Sequence, residues 1–254
     1  MFNAKKETRH VIQWIRAWFQ ENGPDANAVI GISGGKDSTI CAALLKEALG
    51  PDRVFGIMMP NIEQKDIRDA YDAVNHIGIN ALEINIGPAV NALYAEIIAE
   101  LIKSRLPDMP DISEDTKTNT PPRIRMATLY AIAQTIPHGG RVCNTCNLSE
   151  DYIGYSTKYG DAAGDFSPLA NYTVSEVLRI GEALGLPDRL VFKVPSDGLC
   201  GLSDEERIGF TYEVLDKYIR TGTCDDEETR KKIRNMHEWS RHKYAPMPAC
   251  PKLR

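Results

Sequence analysis

The chain has 254 residues, 43% hydrophobic and 26% charged, which suits a globular α/β enzyme of one domain, 1–254, with a small C-terminal helical portion at about 206–254. Its formal net charge of −5 gives no support to nucleic-acid binding, which usually shows as a basic patch. No apolar run approaches the roughly 20 residues of a membrane span.

Val11, Ile12, Ile15, Trp18 and Phe19 recur at helical spacing, so residues 4–22 predict an amphipathic helix. Gln13 and Arg16 interrupt the apolar core that a signal peptide would need, and a cytoplasmic protein is expected. Its six cysteines are then expected as thiols. Residues 28–32 form a short apolar run bounded by turn residues, the pattern of a buried strand. A helix over 39–49 stops at Gly50-Pro51. Two more buried strands are expected at 53–59 and 81–86, separated by a helix over 66–78. A long helix over 88–105 would bury Val90, Leu93, Ile97 and Leu101. Prolines 107, 110, 121 and 122 predict an exposed loop over 107–122, followed by a helix over 123–135. A fourth strand is expected at 140–144 and a helix at 175–184. Loops at 195–205 and 221–227 frame helices at about 206–220 and 227–241. Strands alternating with helices imply a doubly wound, mostly parallel sheet with helices on both faces.

The segment Ser33-Gly-Gly-Lys-Asp-Ser38 lies between the first strand and the next helix. Its glycines allow close backbone approach to an anion, and the helix that follows aims N–H groups and its positive dipole end the same way. Ser33 and Ser38 can donate hydroxyls to phosphate. Asp37 is an odd neighbour for phosphate unless a cation lies between them, which points to Mg²⁺. The Walker spacing and the dinucleotide fingerprint are both absent.

This loop resembles the SGGxDS loop of the ATP pyrophosphatases, whose fold is that of the adenine nucleotide alpha-hydrolases and which split ATP to an adenylate and pyrophosphate. The downstream segments are similar to those of the ammonia-dependent NAD synthetases. They are Asn119-Thr-Pro-Pro-Arg-Ile-Arg-Met126, Thr145-Cys-Asn-Leu-Ser-Glu150, Gly154-Tyr-Ser-Thr-Lys-Tyr-Gly-Asp161 with Asp165 and Pro168-Leu169, Pro195-Ser196 followed by Asp204-Glu205, Gly209, Tyr212 and Asp216, and His242-Lys243. The resemblance implies amidation of deamido-NAD by ammonia through an adenylate, with ATP as co-substrate, Mg²⁺ as cofactor and a homodimer as the assembly. Carried over by position, it implies ATP contacts from Gly31, Ile32, Ser33, Gly34, Gly35, Lys36, Asp37, Ser38, Thr145 and Ser196. Asp37 and Glu150 would hold Mg²⁺, and Arg123, Lys158, Asp165, His242 and Lys243 would contact deamido-NAD. Asp161 and Lys158 would be catalytic, Asp161 by positioning ammonia or taking its proton.

Two departures stand out. Val174 lies where the family usually has an ATP-binding lysine, so Lys36 is expected to supply that charge. Asn144 replaces the usual glycine before Thr145 and creates Cys143-x-x-Cys146, a pair also seen in tRNA thiolases; two thiols alone fall short of a metal site. A reductase of the phosphoadenylyl-sulfate type would need a C-terminal catalytic cysteine. Cys250 sits instead in Pro-Ala-Cys-Pro-Lys. No glutaminase domain fits beside these segments, so free ammonia is the expected nitrogen donor.

Overall fold

The protein is described from a computed structural model over residues 2–104, 111–192 and 204–252. Strands β1 (Asn27–Gly31), β2 (Val54–Met58), β3 (Asn80–Glu83) and β4 (Gly140–Cys143) form one sheet in the order β3-β2-β1-β4. Every pairing is parallel, with Ala28 opposite Val54 and Ile30 opposite Cys143. Alternate residues of β1 serve opposite faces, as a pleated strand requires. Ala28 and Ile30 join a core with α1 (Ala4–Asn22), α2 (Lys36–Leu49), α3 (Ile67–Ile77) and α7 (Val174–Ala183). Val29 joins the opposite core with α4 (Gly87–Ser104) and α5 (Glu114–Thr135). The sheet is thus doubly wound, as expected.

The C-terminal helices α9 (Asp204–Ile208), α10 (Tyr212–Thr221) and α11 (Glu227–Ser240) build a third cluster around Leu215 and Ile233 with α6 (Leu148–Ile153) and α7. Asp216 is the polar tie: its carboxylate accepts from Ser149 Oγ at 2.5 Å and from the Ser175 N–H at 2.8 Å. Among the described residues, no helix is long and apolar enough to cross a membrane.

Several expected boundaries move for local reasons. The loop expected over 107–122 is helical from Glu114, because Ser113 caps α5 by accepting from the Thr116 N–H at 3.2 Å, with Glu114 and Asp115 in the first turn. Pro121 and Pro122 lie inside this helix. Pro121 cannot bond the Lys117 carbonyl, and Tyr94 Oη instead reaches the carbonyls of Thr116 and Lys117 at 3.3 and 3.5 Å. The third strand is short and all four of its residues are exposed, since it forms the sheet edge. The helix expected over 206–220 is two, α9 and α10, divided at Gly209, whose φ is +78°. On α4 only Gly87 and Val90 are fully buried, Ile97 and Leu101 are half-buried and Leu93 stays 41% exposed, so the described residues cover the expected apolar face only in part. The short helices α6 and α8 (Asp188–Val191) were not expected.

Candidate active site

The sheet order reverses between β1 and β4, the place where open α/β sheets bind ligands. Both chains turn there at their C-terminal ends. After β1, residues 32–35 lead directly into α2, so Lys36, Asp37 and Ser38 occupy its first turn. No side chain caps this helix, and the positive end of its dipole faces the cleft. Ser33 and Ser38 hold the loop through an Oγ–Oγ contact of 3.1 Å, and Ser33 Oγ also accepts from the Gly35 N–H at 3.1 Å. Gly34 has φ +81°, and a Cβ there would lie 2.6 Å from the Ala70 backbone nitrogen. This glycine is therefore required by the approach of α3 as well as by any ligand.

After β4, the segment 144–147 leads into α6. Asn147 caps that helix by accepting from the Glu150 N–H at 3.1 Å. Its Nδ2 donates to Asp37 Oδ1, also at 3.1 Å. One fully buried amide thus ties the Asp37 carboxylate to the backbone of Glu150, the other residue expected to hold metal. Lys36 Nζ lies between them, 2.8 Å from Asp37 Oδ2 and 3.8 Å from Glu150 Oε1. Burial opposes the Lys36 charge, but Asp37, Glu150 and Asp204 outweigh it and the net pKa shift is upward. Burial, followed by the nearby Asp37 charge, moves Glu150 upward too, while Lys36 and Asn147 pull it back. Two hard oxygen donors that already share a cation suit Mg²⁺, which completes its shell with water and phosphate oxygens. Among the described residues, no group of three or more His, Cys, Asp or Glu forms a closed metal cage.

Lys36 and Val174 line the same cavity of about 600 Å³, with Thr173, Ser175 and Tyr212. The lysine in the loop therefore reaches the space beside Val174. Thr145 lies on the loop after β4, half-buried, and Gly31 ends β1 with Ile32 buried beyond it. Ser196 lies outside the described residues.

A second group of expected residues meets around segment 154–161. Arg123 Nε donates to the Lys158 carbonyl at 3.2 Å, and Lys158 Nζ to the His242 carbonyl at 2.8 Å. Lys243 Nζ donates to the carbonyls of Gly154 and Ser156 at 2.6 and 2.7 Å. Asp161 accepts from the Thr157 N–H at 2.9 Å. Its side chain opens to solvent, yet the protein packed around it raises its carboxyl pKa, while hydrogen bonds from Thr157 and the Lys243 charge lower it.

The side chains of two expected residues bond elsewhere. Asp165 accepts from the Val142 N–H at 2.7 Å and Tyr130 Oη at 3.0 Å, which gives it a structural part at the end of the sheet. The exposed His242 ring bonds the Trp239 carbonyl at 2.8 Å. The two halves of the site touch through Cys146, whose Sγ lies 3.3 Å from the Asp161 carbonyl. Asn144 reinforces that junction, donating to the carbonyls of Asp161 and Ala163 at 2.7 and 2.9 Å. Cys143 is buried at the end of β4, and burial drives the Cys146 thiol well up, away from the reactive thiolate.

Three residues of the quoted segments enter the site in parts that the resemblance did not assign. Asn147 was detectable as a helix cap three residues before Glu150. Arg125 is half-buried on α5, not a solvated helix face, and its Nε donates to the Met59 carbonyl just beyond β2 at 3.0 Å. Tyr212 places its ring 5.7 Å from Lys36 Nζ, and its hydroxyl has no hydrogen-bond partner among the described residues.

The fold and this pair of carboxylates at a helix N-terminus define an adenine nucleotide alpha-hydrolase-like protein. Residues 7–247 match the NAD synthase family model, and the chain belongs to that family. The NH(3)-dependent NAD(+) synthetase of Carboxydothermus hydrogenoformans is 34% identical, over 99% of both chains. NMN synthetase from Francisella tularensis superposes with a TM-score of 0.87 at 30% identity, covering 100% of both chains. NAD+ synthetase from Burkholderia pseudomallei gives 0.77 at 26% identity, covering 96% of this chain and 90% of the other.

Proposed function

We propose that this chain makes NAD from deamido-NAD, ammonia and ATP, releasing AMP and pyrophosphate. The enzyme is a ligase that forms a carbon–nitrogen bond. The observation that carries the reading is the Asp37–Glu150 pair, linked by Asn147 at the N-terminus of α2, in a chain of the NAD synthase family.

The chemistry explains why such a pair is needed. A carboxylate resists attack by ammonia because hydroxide leaves poorly, whereas AMP leaves well. The α2 N-terminus and Lys36 receive the triphosphate and offset the charge that keeps the acceptor carboxylate away. Asp37 and Glu150 would hold Mg²⁺, which supplies charge neutralisation on the phosphates when bound. The acceptor carboxylate attacks the α-phosphorus, the bond to the β-phosphate oxygen breaks, and pyrophosphate departs. Ammonia then attacks the acyl carbon of the adenylate and AMP leaves. Asp161 attracts ammonium and takes a proton from nitrogen. Lys158, Arg123 and Lys243 supply positive charge for the phosphates of the acceptor, and His242 and Asp165 frame that side.

The same reading takes residues 1–254 as one synthetase unit, active in the cytoplasm as a homodimer. The partly covered apolar face of α4 supports the dimer, because Leu93, in line with Val90 and Ile97, stays 41% exposed among the described residues.

A second reading concerns the acceptor. The fit to the Francisella NMN synthetase, with its TM-score of 0.87, favours deamido-NMN, which lacks the adenylyl half. Rates of amide formation with ATP, Mg²⁺ and ammonium, measured against deamido-NAD and deamido-NMN in parallel, separate the two. A higher kcat/KM for deamido-NAD supports the first reading, and a higher value for deamido-NMN replaces it with the second.

A further inference from the structure

The first turn of α2 holds a lysine where a metal is expected. Lys36 is only 6% exposed, and its ammonium is shared by Asp37 and Glu150, the two carboxylates read above as the Mg²⁺ site. Asn147 holds the far oxygen of Asp37, so the pair stays aimed at the ammonium. The cation between these carboxylates is thus part of the chain itself.

A divalent ion and an ammonium cannot share that space, because at a few ångströms their repulsion in a partly buried site amounts to several kcal/mol. Bringing in the metal requires Lys36 to leave. On the other side of Lys36 is the cavity bounded by Val174 and the Tyr212 ring, where the carboxylates of Glu176, Glu205 and Asp216 already accept from Arg220, the Tyr212 N–H and Ser149. Asp204, the next carboxylate, already accepts from Tyr155 Oη at 3.1 Å. Moving a buried ammonium away from its counter-charges is costly unless another anion receives it. A triphosphate at the N-terminus of α2 is such an anion, and it would arrive one residue from Lys36.

We propose that Lys36 is a resident counter-ion that Mg²⁺ must displace, so that the metal binds well only when the nucleotide takes the ammonium over. The inference rests on the reading of Asp37 and Glu150 as the metal site. It couples the two ligands reciprocally, since nucleotide that removes Lys36 raises metal affinity and metal that expels Lys36 raises nucleotide affinity. The lysine would thereby keep the two carboxylates from collecting divalent ions before ATP is present.

The test uses Mn²⁺ alone as the probe, with free Mn²⁺ counted by electron paramagnetic resonance in nucleotide-free protein. Lys36→Met leaves the two carboxylates without their cation, and is expected to bind Mn²⁺ about 10-fold or more tighter than wild type, within the 5- to 150-fold span usual for coupled sites. Lys36→Arg keeps the charge and is expected to bind Mn²⁺ as weakly as wild type. Equal or weaker Mn²⁺ binding by Lys36→Met, in a sample with wild-type circular dichroism, overturns the proposal. If Lys36→Met does not fold, the Arg variant decides through calorimetry of ATP with chelator present. Retained ATP affinity together with weak Mn²⁺ binding supports the exchange, and Mn²⁺ binding tighter than wild type despite the retained charge overturns it. A Lys36→Met/Asp37→Asn protein shows whether the underlying reading fails instead. If it keeps the Mn²⁺ affinity of Lys36→Met, the metal is not held by Asp37.

Discussion

Asp161 shows how one side chain carries both a structural and a chemical consequence. The protein around it raises its carboxyl above the ordinary aspartate range. The native carboxyl therefore keeps its proton to a higher pH than the unfolded one, and its stabilising effect is lost as pH rises through the folded value. Asp161→Asn should accordingly gain stability relative to wild type on going from acid to neutral pH, as followed by denaturant midpoints. Catalysis runs the other way, because only the ionised form accepts a proton. With free ammonia held constant, the wild-type rate should climb with pH through that raised value. The Asn variant should be slower by roughly 10²–10⁴-fold and lack the limb. A variant that keeps the acid limb would assign it to another group. The residues of this site were unevenly legible in the sequence. Lys36, Asp37 and Ser38 could be read because a strand, two glycines and a helix occur in order. Asn147 and Tyr212 act through contacts across long sequence separations, to Asp37 and Lys36, which no local pattern encodes.

At the scale of elements, α5 is the instructive case. Four prolines in 107–122 read as a loop, yet Ser113 caps a helix that runs through Pro121 and Pro122, and the α4 tyrosine reaches the Lys117 carbonyl that Pro121 cannot bond. Tyr94→Phe removes the hydroxyl that reaches the Thr116 and Lys117 carbonyls, and should cost about 0.5–1.5 kcal/mol in urea unfolding. No change would show that solvent serves those carbonyls equally well. The central strands β1 and β2 were readable as apolar runs because both of their faces are covered. The edge strand β3 lacks that cover, and its boundaries blurred accordingly. Helix α6, six residues long, is too short to show a period.

Helix α4 links this scale to the assembly. Its sequence has the apolar period of a packed helix, but the described residues fully bury only Gly87 and Val90 of it. If the proposed homodimer packs through α4, Leu93→Glu should leave monomer in sedimentation equilibrium with the fold intact. An unaltered dimer would place the interface elsewhere.

For the molecule as a whole, the sheet reversal between β1 and β4 brings Asp37 and Glu150 together from segments far apart in sequence. The C-terminal helices close over them through Asp216, Ser149 and Ser175. The proposed reaction splits ATP to AMP and pyrophosphate only as a carboxylate becomes an amide. It is tested most directly by incubating the protein with ATP, Mg²⁺, deamido-NAD and ¹⁵N-ammonium, and measuring NAD and AMP together. The expected result is ¹⁵N in the carboxamide of NAD with one AMP formed per NAD, both abolished by Asp37→Asn. ADP in place of AMP, or unlabelled NAD, would contradict it.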